Sequence, residues 1–116
     1  MKNQSIPIIS HFSSIIKVEN ITDSLLEIEK LGKNILNNLE LKFIKKISHK
    51  FEPKGITILF LLSESHLAIH TWPEYGVIHI DLLSCKKIDR DKVEKKLKMS
   101  FKKLVIKDFY LSNGMI

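Results

Sequence analysis

The sequence predicts an α+β two-layer sandwich, in which a mainly antiparallel β-sheet carries two helices on one face and leaves the other face to solvent or to a second subunit. Three observations predict it. Two stretches place apolar residues at three- and four-residue steps, as helices with one buried stripe do. About six short runs are rich in β-branched and aromatic residues or alternate in polarity. No repeat, and no linker rich in Pro, Gly or Ser, divides them, so residues 1–116 are read as a single domain. Each helix follows a strand and has one apolar face to bury, which a sheet layer satisfies.

Taken in order, residues 6–16 alternate Ile and Phe with Ser and His and read as a first strand ending near Lys17. Ser24 and Glu27 match a capping box, and Leu25, Ile28, Leu31, Ile35 and Leu39 then fall on one helical face, ending near Leu39. Gly32 and the Asn37-Asn38 pair blur that end. Residues 41–51 read as a strand with a polar outer side, broken by Pro53 and Gly55. Residues 56–62, Ile-Thr-Ile-Leu-Phe-Leu-Leu, are nearly all apolar, so they predict a central strand covered on both sides or by a partner chain. That is the ground for expecting a dimer. Residues 66–71 read as the next strand, residues 72–76 as a turn around Pro73 and Gly76, and residues 77–85 as the returning strand of a hairpin. Asp89 or Asp91 can cap a second helix bearing Val93, Leu97 and Phe101 on one face, and residues 104–111 close the chain as a strand.

Composition narrows the function. The formal charge of +6 comes mainly from lysines that alternate with apolar residues at strand or helix spacing; Arg90 is the only arginine, and no series of stacking aromatics accompanies them. They read as a solvated face, not as a nucleic-acid surface. No apolar run approaches the ~20 residues of a bilayer span, and residues 1–5 lead into a poor signal peptide. A cytoplasmic protein without a membrane partner is expected. The single cysteine, Cys85, cannot form an intrachain disulfide.

Residues 62–85 concentrate the reactive side chains: three of the five histidines, the only cysteine and the only tryptophan. Polar groups built into the centre of a fold cost free energy unless each is bonded, so the concentration asks for a chemical reason. Four are open. A structural metal site needs about four converging ligands, and one cysteine with scattered histidines is a weak set; His66 and His70 are four apart, but Leu67 stands where the helical zinc motif has glutamate. A hydrolase would want a glycine-flanked nucleophile, and Ser65 lies between Glu64 and His66. The groups could simply be satisfied core or interface residues. The last reading is self-processing: a serine hydroxyl attacks the preceding carbonyl, the amide becomes an ester, and elimination cuts the chain. A histidine would take the α-hydrogen, and the leftover dehydroalanine would hydrolyse to a pyruvoyl ketone. Such a ketone forms a Schiff base with a substrate amine and accepts the electrons left by departing carbon dioxide.

The run Ser63-Glu64-Ser65-His66-Leu67, then residues 69–76 (Ile-His-Thr-Trp-Pro-Glu-Tyr-Gly), then Ile80-Asp81-Leu82 with Cys85, resembles the small prokaryotic type of S-adenosylmethionine decarboxylase proenzyme. The resemblance extends upstream through residues 49–53 (His-Lys-Phe-Glu-Pro) and Gly55, and covers residues from about 8 to 110. It implies cleavage between Glu64 and Ser65 into a β chain of residues 1–64 and an α chain of residues 65–116, with Ser65 the precursor of a covalent pyruvoyl cofactor and no metal. By the same resemblance His70 is the processing base, Cys85 the acid that protonates the substrate α-carbon, Phe51 the ring that stacks on adenine, and Glu74 the carboxylate that holds the ribose. It also implies a homodimer of cleaved protomers with sites at the subunit interface, acting on S-adenosylmethionine to supply aminopropyl groups for polyamines such as spermidine. Thr57 stands where the family usually has a serine that assists processing, keeping the hydroxyl but stiffening χ1; Ala68 stands where threonine is common.

Two rival readings remain. Relatives of the family decarboxylate arginine or another basic amino acid, and Glu74 could grip a guanidinium. An uncleaved homologue could serve as a binding subunit. One geometric conflict is visible as well: Ser65 and His70 are five apart, so on a straight strand they point to opposite faces, and a bend or the release of the new N-terminus would have to bring them together.

Overall fold

The computed structural model describes residues 7–115. Its elements run β1 (Ser10–Glu19), α1 (Leu25–Asn38), β2 (Phe43–Lys50), β3 (Ile56–Leu62), β4 (Ser65–Trp72), a 3₁₀ turn (Pro73–Tyr75), β5 (Val77–Ser84), α2 (Arg90–Ser100) and β6 (Val105–Met115). The predicted two-layer sandwich is the architecture found. Six strands form one sheet in the order β2-β3-β4-β5-β1-β6, and every neighbouring pair is antiparallel. The first strand is displaced from the expected 6–16, and Ile6 lies outside the described residues, as does the stretch 1–5 read for a signal. The last strand outruns the expected 104–111 because β6 follows β1 along its length, with one bulge at Lys17/Val18.

Local chemistry sets the helix ends. The Ser24 hydroxyl accepts from the Glu27 backbone N–H at 3.3 Å, satisfying one of the free donors of the first turn. Asp89 holds the N-cap of α2 but makes no side-chain capping bond. Gly32 does not end α1. A Cβ there would stand 2.4 Å from the Phe60 ring, so the glycine lets that ring pack against the helix backbone.

Alternation along the strands separates the two faces. On β3, Ile56, Ile58, Phe60 and Leu62 are buried, and they join Ile28 and Ile35 of α1 and Val93 and Leu97 of α2 in one apolar core. Each such side chain contributes about 1.5–3 kcal/mol through burial. On the opposite face Leu59 and Leu61 are 43% and 50% exposed, so only one side of this strand is covered within the chain. All five histidines lie on that open face: His49, Thr57, His70 and His79 stand directly opposite one another across β2, β3, β4 and β5, while His66 and His11 flank Leu83 across β4, β5 and β1. Among the described residues no helix is long and apolar enough to cross a membrane.

Candidate active site

The β3–β4 hairpin is closed by two residues, Ser63 and Glu64, because Leu62 pairs with Ser65. Glu64 has φ +57°, in the left-handed region that costs a side-chain-bearing residue about 1–2 kcal/mol. The bond expected to break therefore follows a strained residue. Ser65 is buried, and its Oγ accepts from the Cys85 backbone N–H at 3.0 Å. The Cys85 thiol is exposed and donates towards the Ser63 carbonyl at 3.7 Å. Serine and cysteine thus share the end of the hairpin, beside a cleft of about 300 Å³ whose rim includes Lys42 and Lys86.

His70 is elsewhere. It lies on the open face, five residues along β4, about 16 Å from Ser65 at the usual strand rise. β4 pairs without a break with both β3 and β5, so no bend brings the two together. The Thr57 hydroxyl and His70 Nδ1 are 2.9 Å apart. Burial disfavours the charged imidazole and neighbouring His79 adds to that effect; Asp81 opposes both, and the pKa of His70 settles below the ordinary histidine range. The lowering favours the neutral imidazole, the form that can accept a proton.

The remaining predicted residues gather at the His70 end. Phe51 follows β2, is 46% exposed, and its ring meets His49 edge-on at 4.5 Å. Glu74 sits exposed in the 3₁₀ turn after β4, next to a shallow apolar pocket formed by Ile15, Trp72, Tyr75, Val77 and His79. The site predicted from sequence is thus in two parts. Ser65, Glu64 and Cys85 occupy one end of the sheet, and Thr57, His70, Phe51 and Glu74 the other.

The structure also shows bonded groups that the sequence reading left without a role. Asp81 accepts from His11 Nε2 at 2.7 Å through one oxygen and from His66 Nε2 at 2.9 Å through the other, and Ser13 Oγ lies 3.1 Å from His79 Nε2. Alternation could have found them, since residues 79 and 81 share a face, but the partner strand β1 is fixed only by the fold. Among the described residues no group of three or more His, Cys, Asp or Glu is arranged to hold a metal ion.

A six-stranded antiparallel sheet under two helices is a known arrangement. The chain is similar to the crystal structure of the adenosylmethionine decarboxylase from Aquifex aeolicus VF5, with TM-score 0.74, 24% identity and coverage of 93% of this chain and 88% of that one. That likeness is one of fold. In sequence it is 35% identical over 89 residues to the S-adenosylmethionine decarboxylase proenzyme of Archaeoglobus fulgidus, covering 77% of this chain and 72% of that protein. It is 42% identical over 79 residues to the proenzyme of the same description from Clostridium botulinum, covering 66% and 68%. The sequence pattern of one family, S-adenosylmethionine decarboxylase, matches residues 14–112, and the chain belongs to that family.

Proposed function

We propose that this chain is a proenzyme that cuts itself between Glu64 and Ser65 and, once cut, removes the carboxyl group of S-adenosylmethionine to yield an aminopropyl donor. The observation that carries the reading is the placement of Ser65: a buried hydroxyl, one residue after a left-handed Glu64, within reach of Cys85. In the cut, Ser65 Oγ attacks the Glu64 carbonyl carbon and the C–N bond breaks, leaving an ester. A base removes the Ser65 α-hydrogen, the Cβ–Oγ bond breaks, and the hydroxyl oxygen departs in the new Glu64 carboxylate. Water then replaces nitrogen at residue 65 and ammonia leaves. The pyruvoyl ketone so formed supplies the electron sink for decarboxylation. The residues present fit it: Ser65 and Cys85 both line the cleft, and the Cys85 thiol, 3.7 Å from the Ser63 carbonyl, is there to deliver a proton to the substrate carbon.

The division of the site into two ends supports a homodimer. Leu59, Leu61 and Trp72 give the open face an apolar surface, with Trp72 43% exposed. A second copy laid against it in the opposite sense would bring the Thr57–His70 pair, Phe51 and Glu74 of one protomer to the end of the sheet that holds Ser65 and Cys85 of the other. Phe51 then offers a ring to adenine and to the sulfonium charge, and Glu74 a carboxylate to the ribose hydroxyls. The reduced thiol required of Cys85 suits the cytoplasm.

The test is a mass spectrum of the purified protein with release of labelled carbon dioxide from S-adenosylmethionine or arginine. Expected are fragments of residues 1–64 and 65–116, the second blocked at its N-terminus, and release from S-adenosylmethionine alone. Ser65→Ala leaves one intact chain without activity. An intact wild-type chain, or undiminished turnover by the alanine variant, would overturn the reading.

A further inference from the structure

Self-cutting changes what holds residue 65, and the inference rests on that reading. Before the cut, three things hold this residue: the covalent link to Glu64, the ladder pairing with Leu62, and the bond from the Cys85 N–H to Oγ. The reaction removes two of them outright and, by replacing the nitrogen of residue 65, takes that residue's N–H from the third. The peptide bond breaks, and Oγ leaves with Glu64, so the Cys85 N–H loses its acceptor. The ketone is then the first group of a strand end, and strand ends fray. A reactive carbonyl displaced by about 1 Å can lose 10²-fold in rate.

We infer that the His11–Asp81–His66 trio is a positioning clamp for the ketone at residue 65, dispensable for the cut and required for decarboxylation. His66 is bonded directly to the residue that carries the ketone. Its Nε2 is tied to Asp81 Oδ2 at 2.9 Å, and Asp81 Oδ1 is tied to His11 at 2.7 Å, so the second residue of the cut strand is anchored across β5 to β1. None of these atoms takes part in the cut, so the anchor survives it. Asp81 is held as a carboxylate: burial pushes its pKa up, but the bonds from His66 and His11 outweigh this and leave it below the usual carboxylate range. The trio lies on the open face, where a second copy would shield it from water and strengthen both pairs.

The experiment compares wild type with Asp81→Ala and His66→Ala in the full chain, measuring the fraction cut, kcat and KM, and amide hydrogen exchange at residues 66–68. The clamp predicts complete cutting, kcat lowered about 10- to 100-fold with KM changed less than about threefold, and faster exchange at residues 66–68. Placed in the uncut Ser65→Ala background, Asp81→Ala should leave that exchange within about twofold, because the hairpin link remains. A merely structural carboxylate would speed exchange equally in both backgrounds, which would overturn the clamp. Unchanged kcat in a fully cut Asp81→Ala protein would also overturn it while leaving the decarboxylase reading standing. A wild type with no ketone would remove both. If Asp81→Ala fails to fold, His66→Ala, which leaves the Asp81–His11 pair in place, carries the same comparison.

Discussion

Glu64 concentrates the energetic question at the scale of single residues, because its φ of +57° places a side-chain-bearing residue in a region that glycine occupies freely. Replacing it by glycine removes about 1–2 kcal/mol of conformational cost from the uncut chain. If that strain is relieved as the peptide becomes an ester, Glu64→Gly should slow self-cutting about 5- to 30-fold and raise the melting temperature of the precursor, made uncut by Ser65→Ala. A time course of fragment appearance checks the first and calorimetry the second. An unaltered cutting rate would show that the left-handed turn plays no part in the reaction. Cys85 separates the two chemistries in the opposite way. Cys85→Ala keeps its backbone N–H, the atom bonded to Ser65 Oγ, so the cut should proceed, while loss of the thiol should lower decarboxylation about 10²- to 10⁴-fold. Slowed cutting in that variant would move the thiol into the processing step.

At the scale of elements, the hairpin of β4 and β5 depends on Gly76, which ends the 3₁₀ turn at φ +62°. A Cβ there would lie 2.7 Å from the Val18 carbonyl oxygen, and Val18 also receives the turn's link to β1, its N–H donating to the Gly76 carbonyl at 2.9 Å. Gly76→Ala should therefore cost about 1–3 kcal/mol, read as a lower urea midpoint at unchanged slope; a midpoint equal to wild type would mean that the turn relaxes freely. Elements of this kind were largely legible in the sequence. The capping serine, the 3.6-residue stripe of α1 and the alternation of β5 are local signals, and each lies where the residues put it. What the residues leave open has tertiary causes. The end of α1 near Leu39 is where the residues put it, but the reason for a glycine at position 32 inside that helix is the Phe60 ring on another element. The run 56–62 calls for cover on both sides or from a partner chain, but only the sheet shows that Leu59 and Leu61 are the residues left uncovered within the chain. The candidate site follows the same rule: the motif supplies every proposed chemical group, and parity already sets Ser65 and His70 on opposite faces, but their separation to two ends of the sheet needs the register.

At the scale of the whole molecule, the open face joins two properties that bear on association in opposite directions. Its leucines and Trp72 favour burial against a second copy, whereas its five histidines would bring like charges together there once protonated. The sign follows from His70, whose folded pKa lies below the ordinary value through burial and His79. A histidine shifted in that direction contributes stability at pH above its unfolded pKa and loses it as pH falls through the folded one. Asp81 behaves likewise at lower pH, since its carboxylate is favoured by His66 and His11. Acid should therefore open the pair, and sedimentation equilibrium is expected to show dimer near pH 7.5 and a shift to monomer by about pH 5. A charge placed in the apolar part of the face should act at all pH values: Leu61→Lys is expected to be monomeric near pH 7.5. Because the Thr57–His70 pair is about 16 Å from Ser65 within one chain, that monomer should cut itself at least about tenfold more slowly while keeping the wild-type circular dichroism spectrum. A Leu61→Lys monomer that cuts at the full rate would show that one chain supplies its own base, and the two ends of the sheet would then have to meet by a movement within the protomer.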